Sequence, residues 1–158
     1  MATDKPVTIQ TSSYVVRSLE ETAALAALLL PELLKSQVLS LEGPLGAGKT
    51  HFVKAVARSL GIREEVTSPT FTLLQSYDSG AQLLHHSDWY RLESPEEVLA
   101  LALEEYYDDG LMIIEWGDKF PELLPPCTLR IRIEPQSDES RLITCTAPIS
   151  AFPEFPKS

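Results

Sequence analysis

Gly43-Pro44-Leu45-Gly46-Ala47-Gly48-Lys49-Thr50 fits the phosphate-loop pattern G-x-x-x-x-G-K-[ST] at every fixed position. Its setting decides the reading. The apolar stretch Val38-Leu39-Ser40-Leu41 before it predicts a buried strand, and His51 to Leu60 after it predicts a helix ended by Gly61. Glycines let the main chain fold tightly enough for successive N–H groups to face phosphate oxygens, and the positive end of the following helix adds to that field. In such a loop Gly43, Leu45, Gly46, Ala47, Gly48, Lys49, Thr50 and His51 form the nucleotide-contacting set. Lys49 reaches the β- and γ-phosphates, and the Thr50 hydroxyl binds Mg²⁺. The sequence therefore predicts a protein that binds a nucleoside triphosphate.

Composition narrows what that protein does. The 158 residues suit one domain over 1–150 with a Pro-rich tail over 151–158, and the apolar fraction of 44% is ordinary for a globular chain. With 13 basic against 23 acidic residues, net charge is −10. Non-specific nucleic-acid binding depends on Lys and Arg neutralising phosphates, so any link to RNA is expected to run through a partner or one small patch. Cys127 and Cys145 are too few for a zinc site. The first residues lack an apolar signal core, and the run Ala23 to Leu30 is too short to span a bilayer, so a soluble cytoplasmic protein is expected.

Outward from the loop, strands and helices alternate early and strands pair late. Tyr14-Val15-Val16 predicts a short first strand, and Ser18-Leu19-Glu20-Glu21 a capping box opening a helix. Leu19, Ala23, Ala26, Leu30 and Leu33 recur at helical spacing along it, and Pro31 predicts a kink or break. Thr70 to Tyr77 and Gln82 to Asp88 read as a hairpin across Asp78-Ser79-Gly80. Ser94-Pro95-Glu96-Glu97 opens another helix, expected to continue through Leu99, Leu103 and Tyr106 to Asp108-Asp109-Gly110. Leu111 to Ile114 reads as a central buried strand, and Leu129 to Ile133 pairs with Leu142 to Thr146. The class predicted is an α/β sandwich of the P-loop NTPase kind, with a mixed, largely parallel central sheet flanked by helices.

Mg²⁺ needs hard oxygen ligands, and an acid at the tip of a neighbouring strand usually supplies or orients one. Asp88 ends the run Leu83 to Ser87 and Glu115 ends Leu111 to Ile114, so both are expected at the carboxyl edge of the sheet beside the loop. A carboxylate after an apolar run is costly to place unless its charge is needed. Ser68-Pro69-Thr70-Phe71-Thr72 offers hydroxyls that sense a γ-phosphate or else cap a turn. Trp116 either covers the sheet end or joins the site, and Trp89 reads as packing. Arg91 either neutralises charge on a transferred phosphoryl group or pairs with an acid. His85 and His86 fall on opposite strand faces, which disfavours a shared metal.

Four stretches taken together are more specific than the loop: Gly43 to Thr50, Ser68-Pro69-Thr70-Phe71-Thr72-Leu73, His86-Ser87-Asp88-Trp89-Tyr90-Arg91-Leu92 and Ile114-Glu115-Trp116. From about Ser18 to about Ala147 the chain resembles the bacterial TsaE (YjeE) family of ATPases. Those proteins take part in forming threonylcarbamoyladenosine next to the anticodon of tRNAs. The resemblance implies ATP and Mg²⁺ as cofactors, Lys49 on the phosphates, Thr50 and Glu115 as metal ligands, and Asp88 as the catalytic acid near the γ-phosphate. It implies a mobile, switch-like Ser68 to Thr72. It also implies two protein partners that carry out carbamoyl transfer, with tRNA contacted indirectly. His51 stands where the family commonly has Thr or Ser, Pro44 where it has an acid, and Arg141 is the nearest match to a late basic residue.

The function expected is a slow, partner-dependent P-loop ATPase. A small-molecule kinase would use the same loop with an acceptor hydroxyl replacing water, but the seven arginines form no clustered pair in a lid. A nucleotide-gated adaptor that hydrolyses nothing is the non-enzymatic alternative. A GTPase is disfavoured, because guanine selection uses an Asn-Lys-x-Asp element and the chain has no Asn.

Overall fold

The computed structural model describes residues 8–149 and 151–155. Seven strands, β1 (Gln10–Val16), β2 (Val38–Glu42), β3 (Leu74–Asp78), β4 (Leu83–Asp88), β5 (Leu111–Glu115), β6 (Leu129–Pro135) and β7 (Arg141–Ala147), form one sheet. Their order is β1-β7-β6-β2-β5-β4-β3. The inner strands β6, β2, β5 and β4 run parallel, while β3 and the β7–β1 pair close the edges antiparallel. This is the mixed α/β sheet expected from the sequence. β2 and β5 are buried along their whole length, as parallel strands covered on both faces must be.

Helices α1 (Leu19–Ser36) and α2 (Lys49–Leu60) cover one face, where Leu25, Leu29, Leu33, Phe52, Val53 and Val56 meet Leu39, Leu41, Ile113 and Ile131. On the other face a smaller cluster of Trp89, Leu92, Val98, Leu103, Met112 and Ile114 lies under the short helix α3 (Pro95–Leu99) and the turns after it. Phe152 and Phe155 pack against the larger core, and the Tyr14 hydroxyl donates to the Pro153 carbonyl at 2.7 Å. Among the described residues no helix is long and apolar enough to cross a membrane.

Several details differ from expectation. α1 runs unbroken across Pro31, because Pro31 and Ala27, whose carbonyl loses its helical partner, both face solvent. Its buried stripe is Thr22, Leu25, Ala26, Leu29, Leu33 and Ser36, with Leu19 58% exposed. The consecutive leucines 28–30 leave the helical phase undetermined from sequence. α3 stops at Leu99, Ala102 turns left-handed (φ 50°), and Leu103–Glu105 form a single 3₁₀ turn. Five helical residues would rotate Leu103 about 140° away from Val98; the break lets both reach the same core.

Thr70 to Leu73 is a turn, not the start of β3. Leu73 (φ 67°) donates its N–H to the Pro69 carbonyl at 2.7 Å, and its own carbonyl accepts from the Ser87 hydroxyl. The hairpin across Asp78-Ser79-Gly80 forms as read, with the Gly80 N–H bonded to the Asp78 carboxylate.

Candidate functional site

The phosphate-loop sequence folds as its spacing requires. β2 delivers the chain to the loop, and α2 begins at Lys49 with Gly48 as its N-cap in the left-handed region (φ 107°). No side chain among the described residues caps that helix start, so its first-turn N–H groups are left for a ligand. Gly43 is obligatory: at φ 142°, a Cβ there would lie 2.5 Å from the Ile133 carbonyl oxygen. Crossing from β7, Arg141 donates from Nε to the Ala47 carbonyl at 2.6 Å and sets its guanidinium beside Gly48.

A cleft of about 440 Å³ opens here, within the range that holds a small ligand. Loop residues Leu45, Gly46, Gly48, Lys49, Thr50 and His51 line one side, and Ser68, Thr70, Asp88, Tyr90, Glu115 and Trp116 line the other, with Arg141 joining them. Gly43 and Ala47, read from the sequence as contact residues, are buried outside this lining and shape the loop from beneath.

Asp88 and Glu115 are partners in register at the tips of parallel β4 and β5, 5% and 4% exposed. Each has an oxygen held. Asp88 Oδ1 accepts from the Tyr90 N–H at 2.8 Å and Oδ2 from the Thr70 hydroxyl at 3.4 Å. Glu115 Oε2 meets His86 Nε2 at 2.6 Å. Burial pushes the Asp88 carboxyl above its ordinary range, and the neighbouring Glu115 charge adds to this.

Lys49 sits between these acids and the loop. Its ammonium donates to the Gly43 carbonyl and, at 3.4 Å, to that of Pro44, and lies 3.9 Å from the centre of the Trp116 ring. Burial lowers its pKa, while Glu115, Asp118 and Asp88 oppose that shift. Trp116 reaches this position through a left-handed backbone (φ 62°), a conformation costly for a non-glycine residue and here held in place at the cleft. Tyr90 packs on the same ring at 5.0 Å.

Donor chemistry fits a hard cation. A hydroxyl on Thr50 and carboxylates on Asp88 and Glu115 are oxygen ligands, and Mg²⁺ usually takes one or two from protein and the rest from phosphates and water. Among the described residues no three His, Cys, Asp or Glu side chains gather into an all-protein metal cage.

Not every sequence candidate arrives. Arg91 stacks on the 80%-exposed Phe71 at 4.3 Å and does not line the cleft. His85 turns to the opposite face of β4, bonded to Ser76 and Asp109. In the other direction, the grip of Arg141 on the loop has no local signal, because it depends on β7 lying near β2.

The match to known proteins follows this geometry. Residues 16–143 fit the family described as threonylcarbamoyl adenosine biosynthesis protein TsaE. The chain belongs to the TsaE family. It is 44% identical over 128 residues to the tRNA threonylcarbamoyladenosine biosynthesis protein TsaE of Bacillus subtilis, covering 81% of this chain and 80% of that protein. To the TsaE protein of Treponema pallidum it is 43% identical over 131 residues, covering 82% and 96%. Among solved structures, Bacillus subtilis YdiB superposes with a TM-score of 0.70 at 35% identity, over 89% of this chain and 87% of that one. This TsaE-family chain thus shares sequence and fold with its relatives over most of its length.

Proposed function

We propose that this chain is the Mg²⁺-dependent, ATP-binding and ATP-hydrolysing subunit of the machinery that forms threonylcarbamoyladenosine next to the tRNA anticodon. The names of its relatives support that pathway. One observation carries the chemical part: an uncapped α2 N-terminus, Lys49, Thr50 and two strand-tip acids converge on a single cleft.

Loop amides and Lys49 bind and orient the polyphosphate, reducing the cost of charge that spreads over its terminal oxygens. Thr50 and Glu115 hold Mg²⁺, which when bound neutralises phosphate charge. Asp88, with its carboxyl kept basic by burial, orients or deprotonates the attacking water. Thr70 ties the switch-like turn to Asp88 and reports whether the γ-phosphate side of the cleft is filled. Net charge of −10 supports docking on two protein partners in the cytoplasm, with tRNA contacted through them.

The test is phosphate release from Mg·ATP, with and without candidate partners, beside nucleoside analysis of tRNA after depletion. Loss of the modified nucleoside together with Lys49-dependent phosphate release is expected. Label from the γ-phosphate appearing on a small acceptor would make the chain a kinase instead. Binding without turnover under all conditions would make it an adaptor.

A further inference from the structure

The geometry points to His86 as the residue that positions Glu115 for the metal, a role that rests on reading Glu115 as the metal-side acid. His86 is fully buried on β4, two residues before Asp88 and on the same strand face. In the parallel register Asp88 pairs with Glu115 and His86 with Ile113, so His86 lies one step deeper than the two acids. Glu115 folds back toward it, and its Oε2 lies 2.6 Å from His86 Nε2.

Hydrogen-bond chemistry fixes the direction of this contact. A carboxylate can only accept, so Nε2 carries the proton and donates. Nδ1 is buried without a partner among the described residues. The reverse tautomer would leave an orphan N–H on Nδ1 and set a lone pair against the carboxylate, two penalties at once. A residue present only to fill this space would be better apolar, because it would not bury an unpaired nitrogen. What the imidazole supplies is one charge-assisted bond that occupies Oε2 and leaves Oε1 to the cleft. Glu115 is then held in one rotamer with a single oxygen to offer. Imidazole–carboxylate pairs behind a metal ligand act this way, and losing one typically weakens metal affinity by about 10- to 100-fold.

Binding of an unhydrolysable ATP analogue is measured by calorimetry in excess EDTA and again in Mg²⁺, for wild type, His86→Phe and His86→Gln. EDTA-state affinity is expected to stay the same in all three, since the loop is untouched. The gain on adding Mg²⁺ should fall about tenfold in His86→Phe. It should recover substantially in His86→Gln, whose amide nitrogen donates from a similar reach. A role in packing alone would lower both affinities together, or neither, and would not be rescued by Gln. If His86→Phe keeps the full Mg²⁺ gain, this inference fails while the nucleotide reading stands. If wild type binds nothing in either buffer, both fail. Long-range ¹H–¹⁵N spectra of the wild-type imidazole provide a check that needs no variant: a proton on Nε2 is expected, and a ring protonated on Nδ1 alone would overturn the assignment.

Discussion

Replacing Asp88 by Asn should stabilise the ligand-free protein while removing its activity. Asp88 is 5% exposed and in register with Glu115, with no cation bonded to it among the described residues. Burial, and next to it the Glu115 charge, hold its folded pKa above the ordinary 3.8, more than its bonds from Tyr90 and Thr70 offset. Asn keeps a carbonyl oxygen for the Tyr90 N–H and removes the charge. Relieving a functional-site cost of this kind is worth on the order of 1 kcal/mol, or roughly 2–4 °C in Tm for a chain this long. The sign with pH follows from linkage. With the folded pKa raised, the penalty is fully present at neutral pH, shrinks as pH falls through the folded value, and is gone below 3.8. Thermal melts of both proteins in EDTA, at neutral pH and near pH 4, measure the gap between them. Turnover should fall by about 10²-fold or more. An Asn variant less stable at neutral pH, or a gap that widens on acidification, would refute the reasoning.

Other outcomes follow from the same geometry. Lys49→Ala and Thr50→Ala should abolish phosphate release, the second chiefly by losing metal, and Glu115→Ala should lose Mg²⁺-dependent release; steady-state assays across Mg²⁺ concentrations check all three. Gly43→Ala combines φ 142° with a 2.5 Å clash on the Ile133 carbonyl, and should cost roughly 2–4 kcal/mol, lowering Tm by roughly 5–15 °C. Because Lys49 lies 3.9 Å from the Trp116 ring centre, nucleotide binding should draw the ammonium away and change tryptophan emission. That signal should vanish in Trp116→Phe, with Trp89 still present.

Much of the fold was legible because the signals were local. A glycine-rich loop between an apolar run and a helix reads as one unit, and Gly61 ends α2 left-handed at φ 87° as expected. Ser18 and Ser94 both cap their helices, each accepting from the N–H three residues on. The acids at positions 88 and 115 were found because a charge ending an apolar strand marks the sheet edge. What escaped depends on contacts between distant segments. The phase of α1 is ambiguous in a run of leucines, and the end of α3 is set by the need to bury both Val98 and Leu103. Likewise the His86–Glu115 bond joins residues 29 apart, and the Arg141–Ala47 bond residues 94 apart. Both exist only through strand order. Arg91 misled for the opposite reason: its neighbours in sequence belong to the site, but its side chain turns outward onto Phe71.

The most direct test of the central claim is calorimetric titration of an unhydrolysable ATP analogue with Mg²⁺ into the wild-type protein and into Lys49→Ala. One molecule bound per chain by the wild type, and none detectable in the variant, is the expected result. An absence of binding to wild type, or equal binding by both, would contradict it.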